Sequence, residues 1–316
     1  MANMLTYIIK SMRPRQWVKN LVVFGALIFV PGAVREPLCW FYAALAFVAF
    51  CLVSGGVYLI NDILDRPKDM LHPRKKMRPI ASGMLPLGTA LSAAFIALIA
   101  GLVICLWLDS ITGKPEFPET SRLQDGLTLT AVAYIVLMFL YSFFLKREII
   151  LDVLILSIGF VLRAAAGGLA LDVRISPWLL ATTFFISLFL ALGKRRGEIK
   201  DLEECAALHR DVLDKYSVRL IDNLLVVSAA ANIMSYSLYT FLHDLGKNPI
   251  GISNGSQGIG LMFTVPFVVY GIFRYLYLVF KHDLGANPDE VLTTDIRLII
   301  CVLLWVLTVL FMLSLK

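Results

Sequence analysis

The chain has 316 residues, of which 59% are apolar and 16% charged, with a net charge of +6 and a mean hydropathy of +0.78. Soluble domains are nearer half apolar, and here the apolar residues fall in long blocks. A soluble globular protein is excluded, and no large water-soluble domain fits beside the membrane domain, so residues 1–316 are expected to form a single integral membrane domain.

In chain order, Met1–Ser11 reads as a lead-in to a spanning segment and not as a cleavable signal peptide. About nine apolar segments follow, near 18–34, 38–60, 86–108, 127–145, 149–171, 176–193, 220–242, 260–280 and 296–315. Each approaches the roughly 20 residues needed to cross a bilayer as a helix, so the fold class is all-α and polytopic. Large apolar helix faces permit self-association. The five cysteines are scattered without metal-ligand spacing, and the four histidines form no pair at helical spacing, which argues against zinc.

The charges orient the chain. With the N-terminus inside, the inner segments carry 21 Lys and Arg, the outer ones 6, and two (Arg163 and Arg274) lie within spans. Positive-inside asymmetry therefore predicts a cytoplasmic N-terminus in the cell membrane, and it accounts for the net charge without nucleic acid. The acids share the inner bias, which the rule for cations does not explain, so a polar site on the cytoplasmic face is expected.

The densest chemistry is Asn61-Asp62-Ile63-Leu64-Asp65-Arg66-Pro67-Lys68-Asp69, at the end of an apolar run. Asp62, Asp65 and Asp69 recur at offsets of three and four and would share a face of a continuous helix. Pro67 is expected to end or kink that helix, so that Asp69 approaches from a following turn. Carboxylates at a membrane mouth are costly unless they hold a cation. Asn61, Asp62, Asp65 and Asp69 suit Mg²⁺ carrying a diphosphate, with Asp62 and Asp65 as the catalytic pair. Arg74, Lys75, Lys76 and Arg78 follow at once.

Other candidates for phosphate lie at inner ends of spans. Lys194-Arg195-Arg196-Gly197-Glu198 opens the loop after the sixth span, where arginine forks and a lysine point charge suit phosphate oxygens. Topology alone would also put cations there. Asp152 reads as a mouth residue, and Arg163, about 16 Å further along the same helix, as a deeper anchor for phosphate or for a neighbouring helix. Tyr141, Lys146 and Lys19 are further mouth candidates. Arg274 is a weaker one, with pairing to a carboxylate as the alternative. Gly167-Gly168 is expected to allow close helix packing.

The Asn61–Asp69 motif resembles the NDxxDxxxD signature of the UbiA-type intramembrane prenyltransferase superfamily, whose architecture is about nine helices. Further stretches resemble its polyprenyl-phosphate phosphoribosyltransferase branch. They are Arg13-Pro14-Arg15-Gln16-Trp17-Val18-Lys19-Asn20, Leu145-Lys146 with Asp152-Val153, Gly159 to Ala164 with Gly167-Gly168, Gly193 to Glu198, and Phe273-Arg274-Tyr275. The resemblance implies a UbiA-like bundle, Mg²⁺, 5-phosphoribosyl diphosphate as donor and a decaprenyl-type phosphate as acceptor, for cell-wall glycans such as arabinogalactan. Aromatic prenyltransferases of the superfamily carry a second acidic motif between helices six and seven. The acids after Glu198 give no clean copy of it, which favours the phosphoribosyl branch over transfer of an isoprenyl group to an aromatic acceptor. A transporter would spread ionisable residues through mid-span positions, whereas these collect at one face.

Overall fold

Long runs of Leu, Ala, Val, Ile and Phe cannot leave backbone amides unpaired in hydrocarbon, so each closes its hydrogen bonds within a helix. The computed structural model describes residues 2–29, 33–73, 75–112, 126–173, 175–204, 216–245, 260–282, 291 and 294–314, and those residues contain no strand. The helices are α1 (Ala2–Ser11), α2 (Gly25–Phe29), α3 (Pro37–Leu64), α4 (Arg66–Leu71), α5 (Leu87–Thr112), α6 (Gly126–Phe143), α7 (Leu151–Ala170), α8 (Pro177–Glu204), α9 (Val218–Leu245), α10 (Val265–His282) and α11 (Ile296–Ser314). Among the described residues eight helices are long and apolar enough to cross a membrane, matching the predicted segments from the second onward.

The predicted first span, 18–34, is built differently. A 3₁₀ run, Pro14–Phe24, leads into the five residues of α2. Asn20 and Val23 of this run are buried, so it carries polar side-chain and backbone groups into the interior. A second difference lies at α8, which was expected to stop near residue 193 and continues to Glu204. Lys194 to Glu198 are therefore on a helix and not in a loop.

The chain divides into two compact units, Met1–Leu145 with Leu162–Arg174, and Lys146–Val161 with Ile175–Lys316. In the first, α3 and α5 approach closely because small residues face each other. A Cβ at Gly101 would stand 2.9 Å from the carbonyl oxygen of Ala49, a contact only glycine permits. Met12, Leu59, Ile80, Leu85, Ala90 and Ala94 pack into one buried cluster at the motif end of α3. Asp109, near the end of α5, caps α6: its two carboxylate oxygens accept from the backbone N–H groups of Leu127 (3.1 Å) and Thr128 (2.9 Å), satisfying donors that a helix start leaves open.

In the second unit, α8 and α9 run beside α10 around Phe189, Leu192, Ile221, Leu225, Tyr275 and Val279. Polar side chains tie the helices together where lipid offers no partner. Asn232 donates to the Thr182 carbonyl (2.9 Å), and Trp305 donates to the Tyr236 hydroxyl (2.8 Å). On α11 the exposed side chains include Ile300, Leu303, Leu304, Leu307 and Phe311, as a lipid-facing helix requires.

Candidate functional site

The acid motif is divided by a helix break. α3 ends at Leu64, Asp65 is the junction residue, and Pro67 lies in the first turn of α4, where its missing N–H costs nothing. The expected break thus occurs before Pro67, and Asp69 comes from the following short helix, its N–H donating to the Asp65 carbonyl (2.8 Å). Asp62 and Asp69 are buried, and a single nitrogen of Arg78 joins them: Nη1 lies 3.1 Å from Asp62 Oδ1 and 2.6 Å from Asp69 Oδ2. Arg13, from the far side of the first unit's sequence, donates to the same Asp62 oxygen at 2.5 Å. Asp65 is half-buried at the junction, Lys75 is exposed, and Arg74 lies outside the described residues.

This donor set fits a hard divalent cation. Asn61 Oδ1 is buried and accepts no hydrogen bond among the described residues, while the two buried carboxylates are held within reach of one guanidinium nitrogen. Among the described residues no three acidic, histidine or cysteine side chains are grouped as a ready-made cage. Mg²⁺ does not need one, since it commonly binds one or two carboxylates together with waters and substrate phosphates.

Arg163 is a buried member of the first unit. Its Nε donates to Asn20 Oδ1 (2.8 Å), its Nη2 donates to the Tyr134 hydroxyl (2.5 Å), and its guanidinium lies 4.7 Å from that ring. Asn20 in turn donates to Ser54 Oγ (3.2 Å). Of its two expected roles, the anchor to neighbouring helices is the one these contacts display. Gly167 on the same helix meets the backbone of Val23, where a Cβ would stand 2.0 Å from the carbonyl oxygen, so the expected close packing is present.

In the second unit three of the candidate residues are enclosed by neighbouring side chains. Asp152 lies in the first turn of α7, at the end of the span, and is 0% exposed. Its Oδ2 accepts from Arg195 Nε and its Oδ1 from the Tyr216 hydroxyl, both at 2.7 Å. Arg195, only 2% exposed, also bridges to Glu198. Arg196 is buried too, donating to Asp222 (2.7 Å) and to the Val279 carbonyl (2.8 Å). The physical reason is the continuation of α8: residues two and three beyond a span end rotate back into the bundle when the helix does not stop. Lys194, with its side chain 48% exposed, is the accessible cation of the trio. Arg274 pairs with Asp295 at 2.7 Å, the carboxylate alternative.

Tyr216 escaped the sequence reading because its partners lie 64 and 66 residues away. Its hydroxyl accepts from the N–H of Ile150, a β-branched residue held at φ 69. Burial first, then the bond to Asp152, push the phenol well above its ordinary value, so it remains a neutral donor. Tyr141 and Lys146 are half-buried, at the end of α6 and in the 3₁₀ turn Leu145–Arg147, and Lys19 is half-buried in the first 3₁₀ run.

The chain is similar over 97% of its length, at 34% identity, to the decaprenyl-phosphate phosphoribosyltransferase of Mycolicibacterium smegmatis, 92% of which is covered. It is 36% identical over 96% of its length to the protein of the same name from Corynebacterium glutamicum, 86% of which is covered. Among solved structures, a UbiA homologue from Archaeoglobus fulgidus bound to DMAPP and Mg²⁺ superposes with a TM-score of 0.65, covering 98% of this chain and 99% of that one at 17% identity, a likeness of fold. The model of the UbiA prenyltransferase family matches residues 21–294, across both units. With that match, and with eight helices among the described residues long and apolar enough to cross a membrane, the chain is a multi-pass membrane protein and belongs to the UbiA prenyltransferase family.

Proposed function

We infer that this chain transfers 5-phosphoribose from 5-phosphoribosyl diphosphate to a polyprenyl phosphate, giving a polyprenyl-phosphoryl-5-phosphoribose for cell-envelope glycan synthesis. The observation that carries this is the near full-length similarity to two enzymes named for phosphoribosyl transfer to decaprenyl phosphate. The Asp62–Asp69 geometry supports it. Asn61, Asp62 and Asp69, with Asp65 beside them, would hold Mg²⁺, which when bound neutralises charge on a departing diphosphate.

The residues themselves divide the remaining work. Arg78 keeps the two buried carboxylates adjacent. In the first unit Lys75, Arg74 and Lys19 are assigned to phosphate oxygens, as point charges or forks, and in the second unit Lys146 and Lys194 are separate phosphate candidates. The ribose C1–O bond to diphosphate breaks and a C1–O bond to the lipid phosphate forms. That phosphate already bears an anionic oxygen, so no strong general base is required, and positioning dominates. Attack opposite the leaving group inverts C1. The excess of inner cations, 21 against 6, supports a cytoplasmic N-terminus and an acid motif facing the cytosol, where a water-soluble donor is met.

The test is to incubate purified protein in detergent with Mg²⁺, polyprenyl phosphate and 5-phosphoribosyl diphosphate and to weigh the lipid product. A parallel reaction supplies an isoprenyl diphosphate and an aromatic acid. Lipid-linked phosphoribose in the first is the expected result. Product in the second alone overturns the donor assignment.

A further inference from the structure

We propose that Arg13 is a positioning residue that competes with a divalent cation for Asp62, so that the metal gains this ligand only as the guanidinium lets go. This rests on the metal reading of Asn61, Asp62 and Asp69 given above. Three features of Arg13 carry it.

The first is redundancy. Arg78 touches both Asp62 and Asp69 and holds the acid pair together, whereas among the described residues the ion pair of Arg13 is with Asp62, through the same Oδ1 atom. Arg13 is therefore not needed to assemble the two carboxylates, yet it holds one of the two oxygens through which Asp62 would meet a cation. A guanidinium and a divalent ion at one carboxylate oxygen repel each other, so their binding is negatively coupled.

The second is exposure. The Asp62 side chain is 4% exposed and the Arg13 side chain 31%. The acid is fixed in the interior, while its partner is part-exposed and has room to swing away from it. The guanidinium also rests 4.9 Å from the centroid of the Tyr58 ring, a weaker site on which the charge is partly held.

The third is the backbone. Arg13 sits at φ 55, ψ 66, the left-handed region, immediately before Pro14. Few non-glycine residues adopt this conformation, and it persists where surrounding contacts over-determine it. Here the Trp17 indole N–H donates to the Met12 carbonyl (3.2 Å) and the Arg13 N–H to the Lys10 carbonyl (3.2 Å). The turn thus aims one arginine at one carboxylate 49 residues away. The constrained backbone fixes the side chain's starting point, so the guanidinium is held at Asp62 by the turn and not by chance of a long surface rotamer.

The experiment titrates Mn²⁺ alone into the purified full chain in detergent, with no substrate, and reads bound Mn²⁺ by electron paramagnetic resonance. Arg13→Gln is expected to tighten Mn²⁺ by about tenfold, within the usual range of coupling between two ligands. Arg15→Gln removes an exposed charge two residues away and is expected to leave the affinity within about twofold, the scale of a screened surface charge. A purely structural Arg13 would have the opposite sign, since losing it would loosen Asp62 and weaken Mn²⁺. Arg13→Lys keeps the charge without the fork and is expected to tighten Mn²⁺ by about threefold; it carries the test should Arg13→Gln fail to fold. Affinity in the Arg13 variants equal to or weaker than in Arg15→Gln overturns the proposal. When Asp62→Asn abolishes Mn²⁺ binding in that outcome, the metal site stands and only the role of Arg13 falls. Absence of Mn²⁺ binding in every protein overturns both.

Discussion

The acid cluster of the first unit and the arginine pairs of the second use the same chemistry to different ends. Asp62 is buried, but its described partners, Arg13 and Arg78, are about a third exposed. Asp152 and Arg195 are buried on both sides of their bond, and Tyr216 fills the other carboxylate oxygen. A pair enclosed on both sides is costly to open, because each charge would be left in a medium that does not solvate it. A pair in which one partner is part-exposed is opened at lower cost. Burial of the partner, more than of the acid, is therefore what distinguishes the two clusters.

The largest effect expected from breaking this contrast is on catalysis. Asp62→Asn should reduce phosphoribosyl transfer by about a thousandfold, the scale of losing one group that stabilises developing charge, while the detergent-solubilised protein elutes and melts close to wild type. A collapse of the folded protein instead would make Asp62 a scaffold residue like Asp152. Next comes Arg195→Met, which strands a fully buried Asp152 and should destabilise the protein by about 3–5 kcal/mol, measured by thermal unfolding. Adding Asp152→Asn should recover much of that loss. Wild-type stability in the single variant would remove the distinction between the two units.

Tyr216→Phe is expected to cost about 1–3 kcal/mol, since it leaves an Asp152 oxygen and the Ile150 N–H without the hydroxyl. The smallest effect belongs to Asp295. The hydrogen bond from Arg274 is the main cause that lowers its pKa. Its stabilisation is fully present above the ordinary aspartate value of about 4 and is lost as pH falls through the lower folded value. The melting difference between wild type and Asp295→Asn should be constant at neutral pH and close below pH about 4. A difference that persists unchanged through that window would show that the pair with Arg274 does not set the pKa.

Arg13 illustrates why the site was only partly legible. It stands in a stretch noted for its resemblance to the family, yet nothing local distinguishes it from Arg15, which is exposed. The difference is a contact across 49 residues. Lys194, Arg195 and Arg196 show the converse. Their adjacency suggested one cationic clamp, but consecutive residues on a helix point about 100° apart, so a helix that continues past the span end sends them to different neighbours.

The amino-acid sequence by itself determined the all-α membrane class, the segments from the second span onward, the helix break before Pro67 and the acid motif that carries the family resemblance. These are written in short-range patterns: apolar block length, the missing N–H of proline, and carboxylates spaced by a helical turn. Only the tertiary structure decided that Asp152 is enclosed, that Arg195 and Arg196 are internal, that residues 14–24 wind as a 3₁₀ run, and that Arg13 and Arg78 converge on one oxygen of Asp62. Those outcomes depend on which distant group fills each polar side chain's remaining hydrogen-bonding capacity, and in an apolar interior that demand is met by folding and not by local order.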